Sequence, residues 1–175
     1  MSDFSLYTVR EATVRDAKAV AAVHNASLQA ALEPWADPAA IPSVPVEKRA
    51  AYWKEAIEFI EPQVHVACMG DEIVGFVGFD RSRDPKTPNT MGEIWAIYVL
   101  PEHWSGGAGL ALWDAAREAL IEEGCTAVSA WLPIGCERTM RFFDLAGFKR
   151  EMNTARTTPS AKGKIEEMRV KRSIV

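Results

Sequence analysis

Residues 92–120 read GEIWAIYVLPEHWSGGAGLALWDAAREAL: an apolar run, a glycine-rich turn and an amphipathic segment in direct succession. Gly92 to Val99 is strand-like, apolar and β-branched at Ile94, Ile97 and Val99, and it ends at Pro101, which has no N–H to give a ladder. Residues 102–109, EHWSGGAG, predict a tight turn. From Leu110 to Glu123, Leu112, Ala116, Ala119 and Leu120 recur on one helical face, and Gly124 supplies a C-terminal stop. A strand that enters a helix through such a turn gathers the helix's unpaired N–H groups and its partial positive charge in one place. Phosphate binds well there. Gly106, Gly107 and Gly109 carry no Cβ, so a pyrophosphate can approach the backbone itself. No Gly-Lys-Ser/Thr follows, which excludes a Walker loop. The third glycine of a dinucleotide fingerprint is also absent. From the glycines alone, a turn that merely needs small residues is an equally good reading.

Outward from this unit, strand and helix patterns alternate, which implies an α/β fold layered on a central sheet. Upstream, Leu6 to Arg10 reads as a strand, and Thr13 with Asp16 forms a capping-box pattern. A helix follows with Ala17, Val20, Ala21, His24 and Leu28 on one face, ending before Pro34. Four prolines between residues 34 and 45 forbid regular structure and predict a loop, which also holds Trp35. Val46 to Glu61 is a second helix, and Val64–Met69 with Ile73–Phe79 is a hairpin turning at Gly70-Asp71. Arg81 to Thr90 is a polar loop. Downstream come a strand over Thr126–Leu132, a helix over Glu137–Leu145, and strands over Phe148–Arg156 and Ile165–Arg172 joined by a Pro/Ser/Gly-containing turn. Trp53, Trp95 and Trp113 fall at core spacing.

The 175 residues suit one domain, 1–175. A net charge of −4 and no basic run predict no nucleic-acid or anionic-membrane partner. No apolar stretch approaches membrane-span length, and the opening MSDFSLYTVREATVRD lacks a signal-peptide core. Cys68, Cys125 and Cys136 are odd in number and match neither zinc nor disulfide spacing. A reducing, cytoplasmic setting is the simple expectation, and no metal site is predicted.

Two segments together carry a resemblance. Val99, Pro101, Trp104, Gly107, Gly109, Ala111 and Leu112 follow the pattern V-x-P-x-x-R/Q-x-x-G-x-G/A and A-L. Cys136, Thr139, Phe142, Phe143, Gly147 and Phe148 follow N-x-x-A-x-x-F-Y-x-x-x-G-F. With the opening VREATVRD, the chain resembles the GNAT acetyltransferase superfamily over nearly its whole length. That resemblance implies a mixed, mostly antiparallel sheet of about seven strands flanked by four helices. The strand at 93–99 would splay from that at 126–132. Acetyl-CoA would be the cosubstrate. Its pantetheine arm would lie in the gap against Ile97, Tyr98 and Val99, and its pyrophosphate on the amides of Trp104, Ser105, Gly106, Gly107, Ala108, Gly109 and Leu110. Cys136 and Phe143 would sit at the cofactor in place of the family's Asn and Tyr. A small-molecule or peptide amine would attack the thioester directly. Dimers are common in such families, and the strand after Ile165 is a candidate contact edge.

The attacking amine must be neutral, and losing its proton at pH 7 costs several kcal/mol for a lysine-like pKa, on the order of 10.4. The resemblance offers Glu93 as the base, acting through water; a solvated strand-end carboxylate is the other reading. Tyr98 is a candidate proton donor or a core tyrosine with a satisfied hydroxyl. His24 reads as a core-edge histidine or an acceptor-site base, and Trp35 as a wall of the acceptor pocket or loop packing. Arg138 and Arg141 could neutralise CoA phosphates. Trp104, Cys136 and Phe143 depart from the family's residue types, and the departures at Cys136 and Phe143 motivate a rival reading, an acyl-CoA-binding sensor or interaction module without turnover.

Overall fold

A computed structural model describes residues 6–157 and 165–175. The strands are β1 (Thr8–Glu11), β2 (Gln63–Met69), β3 (Glu72–Arg81), β4 (Met91–Val99), β5 (Ala127–Pro133), β6 (Lys149–Thr157) and β7 (Glu166–Ser173). The helices are α1 (Ala17–Leu32), α2 (Val46–Phe59), α3 (Ala108–Glu122) and α4 (Glu137–Leu145). The strands form one seven-stranded sheet in the order β1-β2-β3-β4-β5-β7-β6. Every pairing is antiparallel except β4 with β5, which the α3 crossover makes parallel. The expected mixed sheet with four helices is therefore met. The turn expected between the last two strands falls largely on residues 158–164, outside the described residues.

Each face of the sheet has its own core. On one face, Leu112, Trp113, Ala116 and Leu120 of α3 and Met140 and Phe143 of α4 pack on Val77, Ile94, Val128 and Val170. On the other, Val20 and Ala21 of α1 and Trp53 and Ala56 of α2 pack on Val66 and Phe76. The α1–α2 loop closes a third cluster, in which Leu32, Ala40 and Ile41 meet Ile165 just before β7. Trp53 and Trp113 are buried as their spacing predicts, but Trp95 is not. Between β3 and β4 the register steps from Gly78↔Ala96 to Phe79↔Ile94, so Trp95 is the extra residue of a β-bulge. The bulge releases its side chain from the core.

Asp16 starts the chain on its course. Its Oδ2 accepts the Thr13 N–H at 2.7 Å and Arg10 Nη1 at 2.8 Å, so one carboxylate caps the turn before α1 and ties it to β1. The hydrogen bond from Arg10 holds the Asp16 carboxyl below the usual carboxylate range, against the opposing effect of burial. A depressed carboxyl stabilises the fold above its unfolded pKa, about 3.9, and that contribution is lost as pH falls through the lower folded value. Asp16→Ala is expected to cost about 1–2 kcal/mol, mostly through the cap, because Arg10 is half exposed and solvent-screened. Urea melts at pH 7 and pH 3 check this: the gap between wild type and variant should narrow on the acid side.

Candidate active site

β4 and β5 separate at the bulge. Their parallel register runs from Met91↔Ala127 to Ile94↔Ala130 and stops, leaving Trp95–Val99 without a partner on that side. Leu100 gives its N–H to Val74. By antiparallel alternation, Tyr98 and Ala96 then turn their backbone groups toward β3, while Ile97 and Val99 turn theirs into the gap. The Val99 carbonyl confirms the direction: it accepts the Ser27 hydroxyl at 2.9 Å and the Trp104 indole N–H at 2.8 Å. Val99 therefore offers the gap an N–H, and Ile97 offers both an N–H and a C=O. An extended amide-containing chain could pair with this edge as a short strand would.

The glycine turn lies at the wide end of the gap. Pro101–His103 make one helical turn, and α3 starts at Ala108, two residues earlier than its apolar spacing suggests. The reason is Gly107, which caps the helix at φ +96°, a conformation that costs glycine little. Among the described residues, the amides of Gly107, Ala108, Gly109 and Leu110 have no backbone acceptor. They form the cluster of donors suited to a pyrophosphate. The other two glycines also make room for neighbouring side chains. A Cβ at Gly106 would lie 2.6 Å from the Tyr7 hydroxyl, and one at Gly109 would lie 2.9 Å from the Phe142 ring. They are small to let β1's flank and α4 close on the loop. Alanine in a helix interior normally gains about 1 kcal/mol over glycine. At Gly109 the clash with Phe142 should outweigh this, so Gly109→Ala is expected to destabilise by about 1–3 kcal/mol, read as a lower Tm.

Trp104, at the family's Arg/Gln position, turns its indole back onto Val99 and stacks beneath Arg138, whose guanidinium lies 4.3 Å from the ring centroid. A cation from α4 is thus held over Trp104, in the turn that leads to these amides. Ser105 is exposed, with φ +66°. Cys136 caps α4, is buried, and places its Sγ 3.1 Å from Thr139 Oγ1 and 3.7 Å from the Ala31 carbonyl. Phe143 lies in the core against Phe142 and Phe148 and presents no polar group.

Glu93 and Tyr98 lie on either side of the bulge. Glu93 is 1% exposed, and its carboxylate takes the Arg83 N–H at 2.9 Å and Arg83 Nη2 at 2.6 Å. Arg83 also covers Trp95, 3.9 Å from its ring centroid. Tyr98 stacks on His24 at 4.7 Å. Burial pushes its hydroxyl up to about 12; Arg49 pulls the other way, and Glu167 and Cys136 add to the rise. His24 is buried beside Arg49, and burial first, then that guanidinium, lower it to about 3. It is therefore neutral at working pH and too weak a base to take an amine's proton. Trp35 packs on Gly135, where a Cβ would come within 2.6 Å of its ring, and it pins the α1–α2 loop to the β5–α4 turn.

Beyond Trp95, a cavity of about 310 Å³ opens between α2 and the bulge, lined by His24, Arg49, Tyr52, Trp53, Trp95 and Ala96 among others. Trp35 is not among its walls. The sequence did not single out Ser27, Arg83 or Arg49. Ser27 had a signal: it lies three residues after His24 on the apolar face of α1. Among the described residues, no His/Cys/Asp/Glu group could hold a metal ion, and no helix is long and apolar enough to cross a membrane.

Comparison with known proteins gives this arrangement its context. The sequence profile of the Acetyltransferase (GNAT) family matches residues 27–148, the larger part of the chain. No curated protein matches the sequence. Among solved structures, yncA from Salmonella typhimurium, crystallised with its cofactor acetyl-CoA, is 20% identical with a TM-score of 0.72, covering 97% of this chain and 95% of its own. A ribosomal-protein-alanine N-acetyltransferase from Brucella melitensis is 19% identical with a TM-score of 0.73, covering 95% of this chain and 99% of its own. The PaiA N-acetyltransferase from Thermoplasma acidophilum, in complex with coenzyme A, is 15% identical with a TM-score of 0.74, covering 99% of both chains. At these identities the solved structures speak for the fold alone. The family match goes further: this chain belongs to the GNAT acetyltransferase family.

Proposed function

We propose that the protein transfers an acetyl group from acetyl-CoA to a primary amine by direct attack in a ternary complex. The observation that carries the reading is the break in β4–β5 pairing after Ile94, next to the free amides at the start of α3. The fit of the cosubstrate follows from donors and acceptors. The amides of Gly107–Leu110 hold the pyrophosphate, with Ser105 beside them; the amides of Trp104 and Gly106, expected to share in this, are already given to the Pro101 and His103 carbonyls. Ile97 and Val99 pair with the pantetheine amides; Cys136 and Phe143, both buried in the packing of α4, support the site from behind and do not line it. The family members solved with acetyl-CoA or coenzyme A support the same choice of cosubstrate.

The chain then has to orient two reactants and move one proton in each direction. As the amine's C–N bond forms and the thioester's C–S bond breaks, Glu93 takes the amine's proton through water. Tyr98, which stays protonated at working pH, gives a proton to the departing thiolate. The bulge at Trp95 opens backbone groups toward the thioester carbonyl and polarises it.

One observation favours the rival reading of a non-catalytic acyl-CoA-binding module: both Glu93 oxygens already accept from Arg83. A thiol-release assay over a panel of primary amines decides between them. Release that saturates in both acetyl-CoA and amine, with intersecting initial-rate patterns, supports the transferase. Binding of acetyl-CoA with no amine-dependent release supports the module.

A further inference from the structure

The cavity beside the bulge contains a charge that the protein does not neutralise. Arg49 lies on α2 next to the inward stripe of Val46, Ala50 and Trp53. Its Nη1 approaches His24 at 3.2 Å from Nδ1 and 3.1 Å from Nε2. The Trp53 indole N–H also donates to Nδ1 at 3.1 Å, and a neutral imidazole has one ring lone pair to share between these two donors. His24 therefore cannot satisfy both Trp53 and Arg49, and being neutral it brings no negative charge to the guanidinium. Its Nε is buried with no hydrogen-bond partner. Among the described residues no carboxylate pairs with Arg49, and no Asp or Glu lines the cavity. Burial also lowers the Arg49 pKa, although the residue is only half-buried. A half-buried cation with an unpaired buried donor and no carboxylate beside it favours a ligand that supplies the missing anion.

The rest of the cavity suits a small organic molecule that carries one. Lys48 adds a second positive charge at the rim, while Tyr52, Trp53 and Trp95 give apolar walls. Its floor is Trp95 and Ala96, the bulge at which β4 leaves β5. We propose that the acceptor is an amine that carries a carboxylate, seated with the carboxylate on Arg49 and the amino group directed to the bulge at Trp95–Ala96. The guanidinium fork matches a carboxylate in two parallel hydrogen bonds and so fixes the orientation of the amine as well as its affinity. The carboxylate is unchanged by the reaction. The inference rests on the acetyltransferase reading only for the fate of the amine, not for the anion site.

The test compares amino acids with their decarboxylated partners: phenylalanine with phenethylamine, leucine with isopentylamine, and methionine with 3-(methylthio)propylamine. Thiol release by the wild type should favour the carboxylated member of at least one pair by about 10- to 100-fold in kcat/KM. Arg49→Gln should collapse that preference by raising the amino acid's KM, while Arg49→Lys keeps part of it; the acetyl-CoA KM is the internal reference. A second measurement needs no turnover. N-acetylphenylalanine and N-acetylleucine should quench the fluorescence of the cavity tryptophans saturably in the wild type, but not in Arg49→Gln, whereas N-acetylphenethylamine should not quench. Quenching without thiol release on any amine would sink the transferase reading and leave the anion site standing. Equal use of decarboxylated amines, a preference that survives Arg49→Gln, or no saturable quench by either carboxylate when release is also absent would overturn the inference.

Discussion

Glu93→Gln is expected to lower kcat by about 10²–10⁴-fold, the usual cost of losing a general base, with the acetyl-CoA KM little changed. Glutamine keeps the shape of the side chain and one oxygen to accept the Arg83 N–H, so the loop over the bulge stays in place. What it removes is the negative charge that can hold the amine's proton. Stability should fall as well, by about 1–2 kcal/mol, because Arg83 loses its partner; Arg83 is half exposed and can return its charge to water, which limits the loss. The separation of the two effects is informative. A carboxylate whose work is only to anchor Arg83 gives the stability loss with kcat intact. Thiol-release kinetics at saturating amine, together with urea melts, distinguish the outcomes. An alkaline rescue, in which the variant's rate climbs with pH as the free amine becomes neutral, would strengthen the assignment.

Tyr98→Phe should cost about 10²-fold in kcat, the low end of a general-acid contribution, and almost nothing in stability. The ring's stack on His24 survives the change, and no hydrogen bond to the hydroxyl is seen among the described residues. The pH dependence adds a second signature. With its pKa raised to about 12, Tyr98 stays protonated in the folded state well above the unfolded value, about 10. A raised pKa contributes stability that is present below pH 10 and is lost as pH rises through 12. The wild type should therefore lose stability across that alkaline window more steeply than Tyr98→Phe. In kinetics, Tyr98 should give no descending limb below about pH 11. An unchanged kcat in Tyr98→Phe would assign the residue to packing beside His24 and leave the thiolate to depart unprotonated.

The parts of this molecule that local rules govern could be read from the sequence. The strand, glycine turn and helix over 92–120 form in the order the pattern predicts, because each depends on neighbours within a few residues such as β-branching and a proline stop; only the left-handed cap at Gly107, which starts α3 two residues early, was not read. Asp16 caps as its spacing promised. The splay of β4 from β5 was expected only through family resemblance, since nothing in either strand's own pattern says where pairing with a distant partner stops. Trp95 shows the limit of periodicity: one extra residue in β4 turned a core-spaced tryptophan into a cavity wall. Arg49 escaped notice because a charge at the edge of an apolar stripe normally reaches solvent, and only the packing of α1 against α2 puts His24 and Trp53 around it. The Arg83–Glu93 pair joins a loop to a strand ten positions on, and neither residue announces the other. The candidate site was thus legible where backbone makes it, and much less so where side chains from separate elements meet.

Acetyl transfer as proposed requires that the gap between β4 and β5 and the amides at the start of α3 form one binding site for acetyl-CoA. Calorimetric titration of the purified protein with acetyl-CoA tests it directly. The account predicts saturable binding of one molecule per chain, weakened by Gly109→Ala, which disturbs the loop against Phe142. No measurable binding of acetyl-CoA to the folded protein would contradict it.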